Sequence, residues 1–277
     1  MSEAVEHATD EGVPVKMAGE TLAPGYVVTE HLDRSYYLDI YEVWSEERAC
    51  SCVAKVMRPD RTGDRGVRAS LKREGRLLKR LMHPHIVRAY EWIERPEPAV
   101  ILETTPGDAL DYILYKRGRL KPKEMGSMGT QLCSAMHYLH RHGLLHLDLN
   151  PGNIIPVGGI VKVIDFSIAR PPGRGPKGMG TPAYMAPEQI HGKPLSQATD
   201  VWGIGAVLFH AATGQAPFDT GEDEPTRFLQ IDGRAAPVRS IRRLPAALTT
   251  IIDRCLEPGP ERRPGIDELF GILRSLT

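Results

Sequence analysis

The sequence predicts an α+β fold in two parts, a small antiparallel β-lobe of five strands with one helix, then a larger, mainly helical lobe. Three observations carry this. Short runs rich in β-branched and aromatic residues, separated by charged turns, crowd into the chain before Thr105. Beyond it, apolar residues recur at helical spacing over long stretches. At 277 residues, with 41% hydrophobic and 25% charged side chains, the chain has the balance of an ordinary globular protein and the length to bury a core without disulfide or metal staples.

Residues 1–24 are acidic, poor in large apolar side chains and carry Pro14 and Pro24, so they read as a mobile leader. Tyr26–Thr29, Tyr36–Tyr41 and Cys50–Val56 read as three strands of an antiparallel meander. Ala69–Met82 places Leu71, Leu77, Leu78 and Leu81 at helical spacing, and Pro84 stops the helix. Ile86–Glu94 and Ala99–Glu103 read as two further strands, followed by a hinge near 103–108. Helices are predicted at Leu110–Lys116 and at Pro122–His142, where Met125, Met128, Leu132, Ala135, Met136 and Leu139 form one stripe. Leu144–Pro156 and Ile160–Asp165 read as short strands and loops. Pro171–Gly180, with four Gly and three Pro, is a loop. Further helices are expected at Thr199–Gly214, near Pro225–Gln230, at Pro245–Leu256 and at Ile266–Leu276.

Lys and Arg number 35 and Asp and Glu number 35, so the net charge is zero. A phosphate-tracking nucleic-acid binder or a polybasic membrane binder carries an excess of positive charge, so the balance argues against both classes. The Arg-rich stretch Arg234, Arg239, Arg242, Arg243 reads as a solvated loop. Cys50, Cys52, Cys133 and Cys255 have no zinc-site spacing and read as reduced, packed thiols. The N-terminus lacks the basic and apolar regions of a signal peptide, and the longest apolar stretch, Ile204–Ala212, is far short of the ~18 residues of a membrane span. A cytoplasmic protein is expected.

The chemistry concentrates in His146-Leu147-Asp148-Leu149-Asn150-Pro151-Gly152-Asn153. Asp165 follows at the end of the apolar run Val161–Ile164. Asn153 and Asp165 offer two hard oxygen ligands, suited to magnesium (Mg2+), which shares its remaining positions between water and phosphate oxygens. Asp148 is then free to accept a proton from a hydroxyl. Alone, Asp148 would read as a turn cap and Asn153 as bonding its own backbone. Other parts accompany them. Lys55 is a charge inside the apolar strand Val53-Ala54-Lys55-Val56, so it needs a partner, and Glu74 lies on the next helix. Gly180-Thr181-Pro182-Ala183-Tyr184-Met185-Ala186-Pro187-Glu188, Asp200-Val201-Trp202-Gly203 and Pro260-Glu261-Arg262-Arg263-Pro264 follow in order.

With these parts in this order, the sequence from Tyr26 to Leu276 resembles the eukaryotic-type serine/threonine protein kinases. The resemblance implies a two-lobed protein-kinase-like fold, with a nucleotide-binding β-rich lobe over 25–104 and a helical catalytic and substrate lobe over 105–277. It implies ATP and Mg2+ as cofactors and a protein substrate. Lys55 would hold the α- and β-phosphates and pair with Glu74, and Asp148 would be the catalytic base. Asn153 and Asp165 would ligate the metal. Leu32, Ile40, Val53 and Ile155 would line the base, Leu102 would stand at the gatekeeper position, and Glu103 and Thr105 at the hinge. Thr181 would sit in the substrate loop. Glu188, Arg263 and Asp200 would take structural roles.

Four departures stand out. Asp33, Ser35 and Leu38 replace the glycines of the phosphate-covering loop, so a weaker or reshaped nucleotide clamp is expected. Leu147 stands for the Arg that usually reads a loop phosphate, and Ile168–Gly180 contains no Ser, Thr or Tyr to carry one. Ser167 replaces the glycine after Phe166. Asn150 stands where a cation neutralises the γ-phosphate, so an effect on rate is expected. An active protein kinase is the expected function. A nucleotide-binding pseudokinase scaffold and a small-molecule phosphotransferase are the alternatives. The retained Lys55, Glu74, Asp148, Asn153 and Asp165 speak against the former, and the block from Gly180 to Glu188, which shapes a peptide groove, against the latter.

Overall fold

The computed structural model describes residues 12–218 and 228–277. The first part of the expected leader, and the first half of the helix expected near Pro225–Gln230, lie outside the described residues. The chain divides into two compact units, Met1–Met82 with Val87–Thr105, and His83–Ile86 with Pro106–Thr277.

The first unit is a sheet with one helix. Its strands are β1 (Thr21–Ala23), β2 (Tyr26–Arg34), β3 (Leu38–Ser45), β4 (Cys50–Met57), β5 (Ala89–Ile93) and β6 (Ala99–Glu103), in spatial order β1-β2-β3-β4-β6-β5 and antiparallel throughout. The sheet has six strands rather than the expected five, because the end of the expected leader is built into it. Leu22 and Ala23 are buried, and β1 returns into β2 through Pro24-Gly25, where Gly25 takes φ 81°. A three-residue strand leaves too little alternation to be seen in sequence.

Alternation along the strands sorts the two faces. Tyr41, Val43, Cys52, Ala54, Val56, Ala99 and Ile101 share a core with Leu22, Ala23, Tyr26 and Val28. Ile40, Val53, Lys55, Val100 and Leu102 point the other way, as the pairs Ile40↔Lys55, Val53↔Leu102 and Lys55↔Val100 require. The helix α1 (Arg65–Arg80) buries Leu71, Glu74, Gly75 and Leu78 on one stripe. It starts ahead of the expected Ala69 because the Asp64 carboxylate caps the backbone N–H groups of Gly66 and Val67.

In the second unit, Ile86 is not the start of a strand as expected. Ile86 bridges to Val163, and β5 begins only at Ala89. The unit contains α2 (Leu110–Arg117), α3 (Pro122–Arg141), the hairpin β7 (Ile154–Val157) and β8 (Ile160–Val163), β9 (Gly173–Arg174), α4 (Pro187–His191), β10 (Pro194–Leu195), α5 (Gln197–Thr213), α6 (Leu229–Asp232), α7 (Val238–Ile241), α8 (Ala246–Cys255) and α9 (Ile266–Arg274). The helix α5 is buried almost all round, as its apolar sequence dictates, with Trp202 and Phe209 at its centre. Gly205 lets α8 approach, since a Cβ there would collide with that of Cys255. The stripe expected on α3 is buried from Met125 to Leu139. The stretch read as a solvated loop contains α7, and Arg242 donates to the carbonyls of Leu120 (2.7 Å) and Ala212 (3.0 Å). Burial pushes the thiols of Cys133 and Cys255 up, Cys255 to about 12, so both are neutral packing groups. No helix among the described residues is long and apolar enough to cross a membrane.

Candidate active site

In the first unit, Lys55 Nζ donates to Glu74 Oε1 at 2.8 Å. Glu74 is 1% exposed, so the pair answers the requirement that a charge in an apolar strand finds a partner. A glycine makes it possible: a Cβ at Gly75 would stand 2.8 Å from Val100 Cγ2, so α1 lies tight on the strand residue that faces Lys55. Ile40, Val53 and Leu102 share the face of Lys55. Leu32 is 49% exposed on β2, at a register irregularity between His31 and Asp33. At the end of β6, the Glu103 N–H donates to the Arg88 carbonyl (2.9 Å), and its carboxylate accepts from the Arg88 N–H (3.1 Å). Thr105 closes this unit.

The second unit assembles the loop from His146 to Asn153 around two carboxylates. Asp200, 1% exposed on α5, accepts the N–H groups of His146 (3.0 Å) and Leu147 (2.8 Å) and meets His140 Nε2 at 2.8 Å. These bonds hold Leu147 at φ 71°, a left-handed conformation that a branched side chain rarely adopts. Asp148 Oδ1 then accepts from the Thr181 hydroxyl (2.8 Å) and the Thr181 N–H (2.9 Å), and Oδ2 from Asn153 Nδ2 (3.2 Å). The backbone N–H of Asp148 donates to His146 Nδ1 at 3.2 Å.

Asn150 lies against Asp148 and Thr181. Its amide nitrogen donates to the Asp148 carbonyl (3.1 Å) and to Thr181 Oγ1 (3.0 Å). Both amide hydrogens are therefore used inside the protein and neither remains for a phosphate. Because Thr181 Oγ1 accepts from Asn150, its own hydrogen is directed at Asp148. The three residues form a chain of donors ending on the carboxylate.

Asn153 and Asp165 are brought side by side, since the Ile164 N–H donates to the Asn153 carbonyl at 2.9 Å. Asn153 spends its amide nitrogen on Asp148, so its side-chain oxygen is the atom offered to a cation. Asp165 takes φ 59° and accepts from the Ser167 N–H at 3.0 Å. Ser167 itself has no positive φ, so the missing glycine costs no backbone strain there. Among the described residues, no group of three or more His, Cys, Asp or Glu could hold a metal by itself. The donor set is thus two oxygens, which fits a hard cation that completes its shell with water and phosphate. Ile155 lies on β7 opposite Lys162.

Leu147 packs into an apolar cluster with Leu145, Leu195 and Ile168. The loop after Asp165 is tied down by the β9–β10 pairing and by Gln189, whose Nε2 donates to the carbonyls of Leu147 (2.8 Å) and Met179 (3.1 Å). Glu188 and Arg263 form a buried fork of 2.6 and 2.9 Å, and Glu188 also accepts from Thr199. His140 and Gln189 were missed in sequence. His140 falls one turn after Met136 on the buried stripe of α3 and could have been found, whereas nothing local marks Gln189.

The protein kinase domain family matches residues 26–272. Over 230 residues the chain is 33% identical to serine/threonine-protein kinase PkaA of Streptomyces coelicolor, covering 79% of this chain and 42% of that protein. It is 30% identical over 259 residues to SNF1-related protein kinase catalytic subunit alpha KIN12 of Arabidopsis thaliana, covering 90% and 51%. It is 30% identical over 274 residues to serine/threonine-protein kinase PknK of Mycobacterium tuberculosis, covering 95% and 24%. The chain thus spans about a quarter to a half of the length of these relatives. The match over almost all described elements, together with the Lys55–Glu74 pair and the loop around Asp148, means that the chain belongs to the protein kinase domain family.

Proposed function

We propose that the chain transfers the γ-phosphoryl group of ATP to a serine or threonine hydroxyl of a protein. The observation that carries this is the hydroxyl of Thr181, which donates to Asp148 Oδ1 at 2.8 Å. The carboxylate there accepts a hydrogen bond from a hydroxyl, which supports the reading because a general base must make the same contact with its substrate. In this reading Lys55, held by Glu74, carries the α- and β-phosphates. Asn153 and Asp165 would hold Mg2+, which would screen the charge on the phosphates. Asn150 and Thr181 keep Asp148 oriented. Val53, Ile40 and Ile155, with Leu102 and Leu32, supply apolar contacts to the base, and Glu103 and Thr105 its backbone partners. The test is transfer of labelled γ-phosphate to casein, or to the chain itself, with and without Mg2+, with Asp148→Asn as control. Label on protein that disappears in Asp148→Asn supports the reading. Nucleotide binding without any transfer would instead mark a non-catalytic binding module.

A further inference from the structure

The hairpin between β2 and β3 stands where the resemblance places a glycine-rich loop, yet residues 33–38 include no glycine and none of them takes a positive φ. Its backbone does not need glycine. Side chains hold it instead. Arg34 and Asp39 are register partners across the hairpin. The Asp39 carboxylate, 1% exposed, receives Arg34 Nε at 2.6 Å and Nη2 at 3.0 Å as a two-pronged fork, with His31 Nε2 at 3.2 Å. The third nitrogen, Nη1, donates to the Val13 carbonyl at 2.8 Å.

Val13 belongs to the segment ahead of β1, which is fixed on the same face, since the Lys16 N–H donates to the Tyr41 hydroxyl at 3.1 Å. Arg58, itself buried, holds the tip through the carbonyls of Tyr37 (3.1 Å) and Ser35 (3.3 Å). Within the tip, Ser35 Oγ accepts the Leu38 N–H at 3.0 Å. Asp39 is followed by Ile40, which points to the opposite face and pairs with Lys55. Whatever fixes Asp39 therefore fixes Ile40 beside Lys55. A glycine loop loses conformational entropy when a ligand orders it, whereas a stapled hairpin has already lost it.

We propose that Arg34 is a positioning residue for nucleotide binding, which fixes the hairpin and the Ile40–Lys55 face by bridging Asp39 and the Val13 carbonyl. The proposal rests on ATP being the nucleotide. It is tested on the full chain by calorimetric titration with MgATP and by steady-state kinetics, comparing Arg34→Ala, Arg34→Lys and wild type. Arg34→Ala should weaken MgATP binding and raise KM for ATP about tenfold. Its kcat at saturating ATP should stay within about threefold of wild type. Arg34→Lys keeps the charge but not the fork and should fall between. Wild-type affinity in Arg34→Ala, or a fall in kcat with KM unchanged, overturns the proposal. If Arg34→Ala does not fold, an unchanged KM for ATP in Arg34→Lys overturns it. A wild type that binds no MgATP overturns the assignment of ATP, and this proposal with it. A wild type that binds while both variants bind equally well overturns this proposal alone.

Discussion

Lys55 is the residue on which the nucleotide assignment turns, because it carries its charge into an apolar strand and meets Glu74 there at 2.8 Å. Lys55→Met removes the cation and leaves a buried carboxylate without it, which neutralises or destabilises the fold. The double variant Lys55→Met, Glu74→Gln separates the two effects. Phosphoryl transfer should fall by more than about a hundredfold in both, the scale of one lost charged transition-state contact. The double variant should melt closer to wild type than Lys55→Met does. Activity within a few-fold of wild type would remove Lys55 from the site. Asn150 calls for a different test. Its amide is spent on the Asp148 carbonyl and on Thr181 Oγ1, so it reaches the Asp148 carboxylate through Thr181 and the Asp148 backbone directly. Asn150→Ala and Thr181→Ala should each lower kcat/KM about five- to tenfold, corresponding to about one hydrogen bond. Because they break the same chain of donors, the double variant should lose less than the product of the two single losses. Full additivity in peptide kinetics would show that the two act independently.

At the scale of elements, the loop after Asp165 shows how the missing phosphate site is replaced. Leu147 turns into an apolar cluster with Ile168 and Leu195, β9 pairs with β10, and Gln189 clamps two carbonyls. A segment held by packing and backbone bonds should not need a phosphate. Phosphatase treatment should therefore leave transfer rates unchanged, and a loss of activity traced to dephosphorylated Thr181 would contradict this. The same element ends on Glu188, whose fork with Arg263 is buried on both sides. Glu188→Ala leaves a buried guanidinium uncompensated and should cost about 3–5 kcal/mol in chemical denaturation. A loss below about 1 kcal/mol would show that the carbonyls of Glu257, Ala198 and Pro258, which Arg263 also contacts, hold it alone. Sequence showed which residues meet in these elements where the pairing is between charges, as with Lys55 and Glu74. It did not show Gln189 or the Arg34–Asp39 fork, because a neutral amide leaves no unpaired charge to explain and Arg34 and Asp39 each pass for ordinary hairpin residues. Asn150 was found for its departure from a pattern, but its partner depends on a loop thirty-one positions away, beyond any local periodicity.

At the scale of the whole molecule, the order of strands and then helices was legible because the period of the apolar residues changes near Thr105. The sixth strand and the placement of His83–Ile86 with the second unit were not, since both depend on long-range pairing of very short segments. That short segment also contributes to how the protein responds to acid. His83 Nδ1 accepts the His85 N–H at 3.2 Å, which places the ring proton on Nε2, 3.3 Å from Ser134 Oγ. The ring also stacks near Tyr138, with centroids 5.0 Å apart. A second proton would have to displace the His85 N–H, in a partly buried site beside His85 and Lys162. Burial first, and these neighbours next, hold His83 down at about 4. In the unfolded chain its pKa is about 6.5. Between these values the unfolded state binds the extra proton and the folded state does not, so stability rises with pH through this window. Above it both states are neutral and His83 adds no slope. Acidification from pH 6.5 towards 4 therefore removes stability that is fully present at pH 7.5. His83→Phe keeps the ring against Tyr138 but cannot titrate. It should melt below wild type at pH 7.5, having lost the acceptor for His85, yet fall less between pH 7.5 and 4.5, so that the two melting curves converge in acid. Parallel pH profiles for the two proteins, measured by thermal denaturation in matched ionic strength, would show that acid acts elsewhere in the chain.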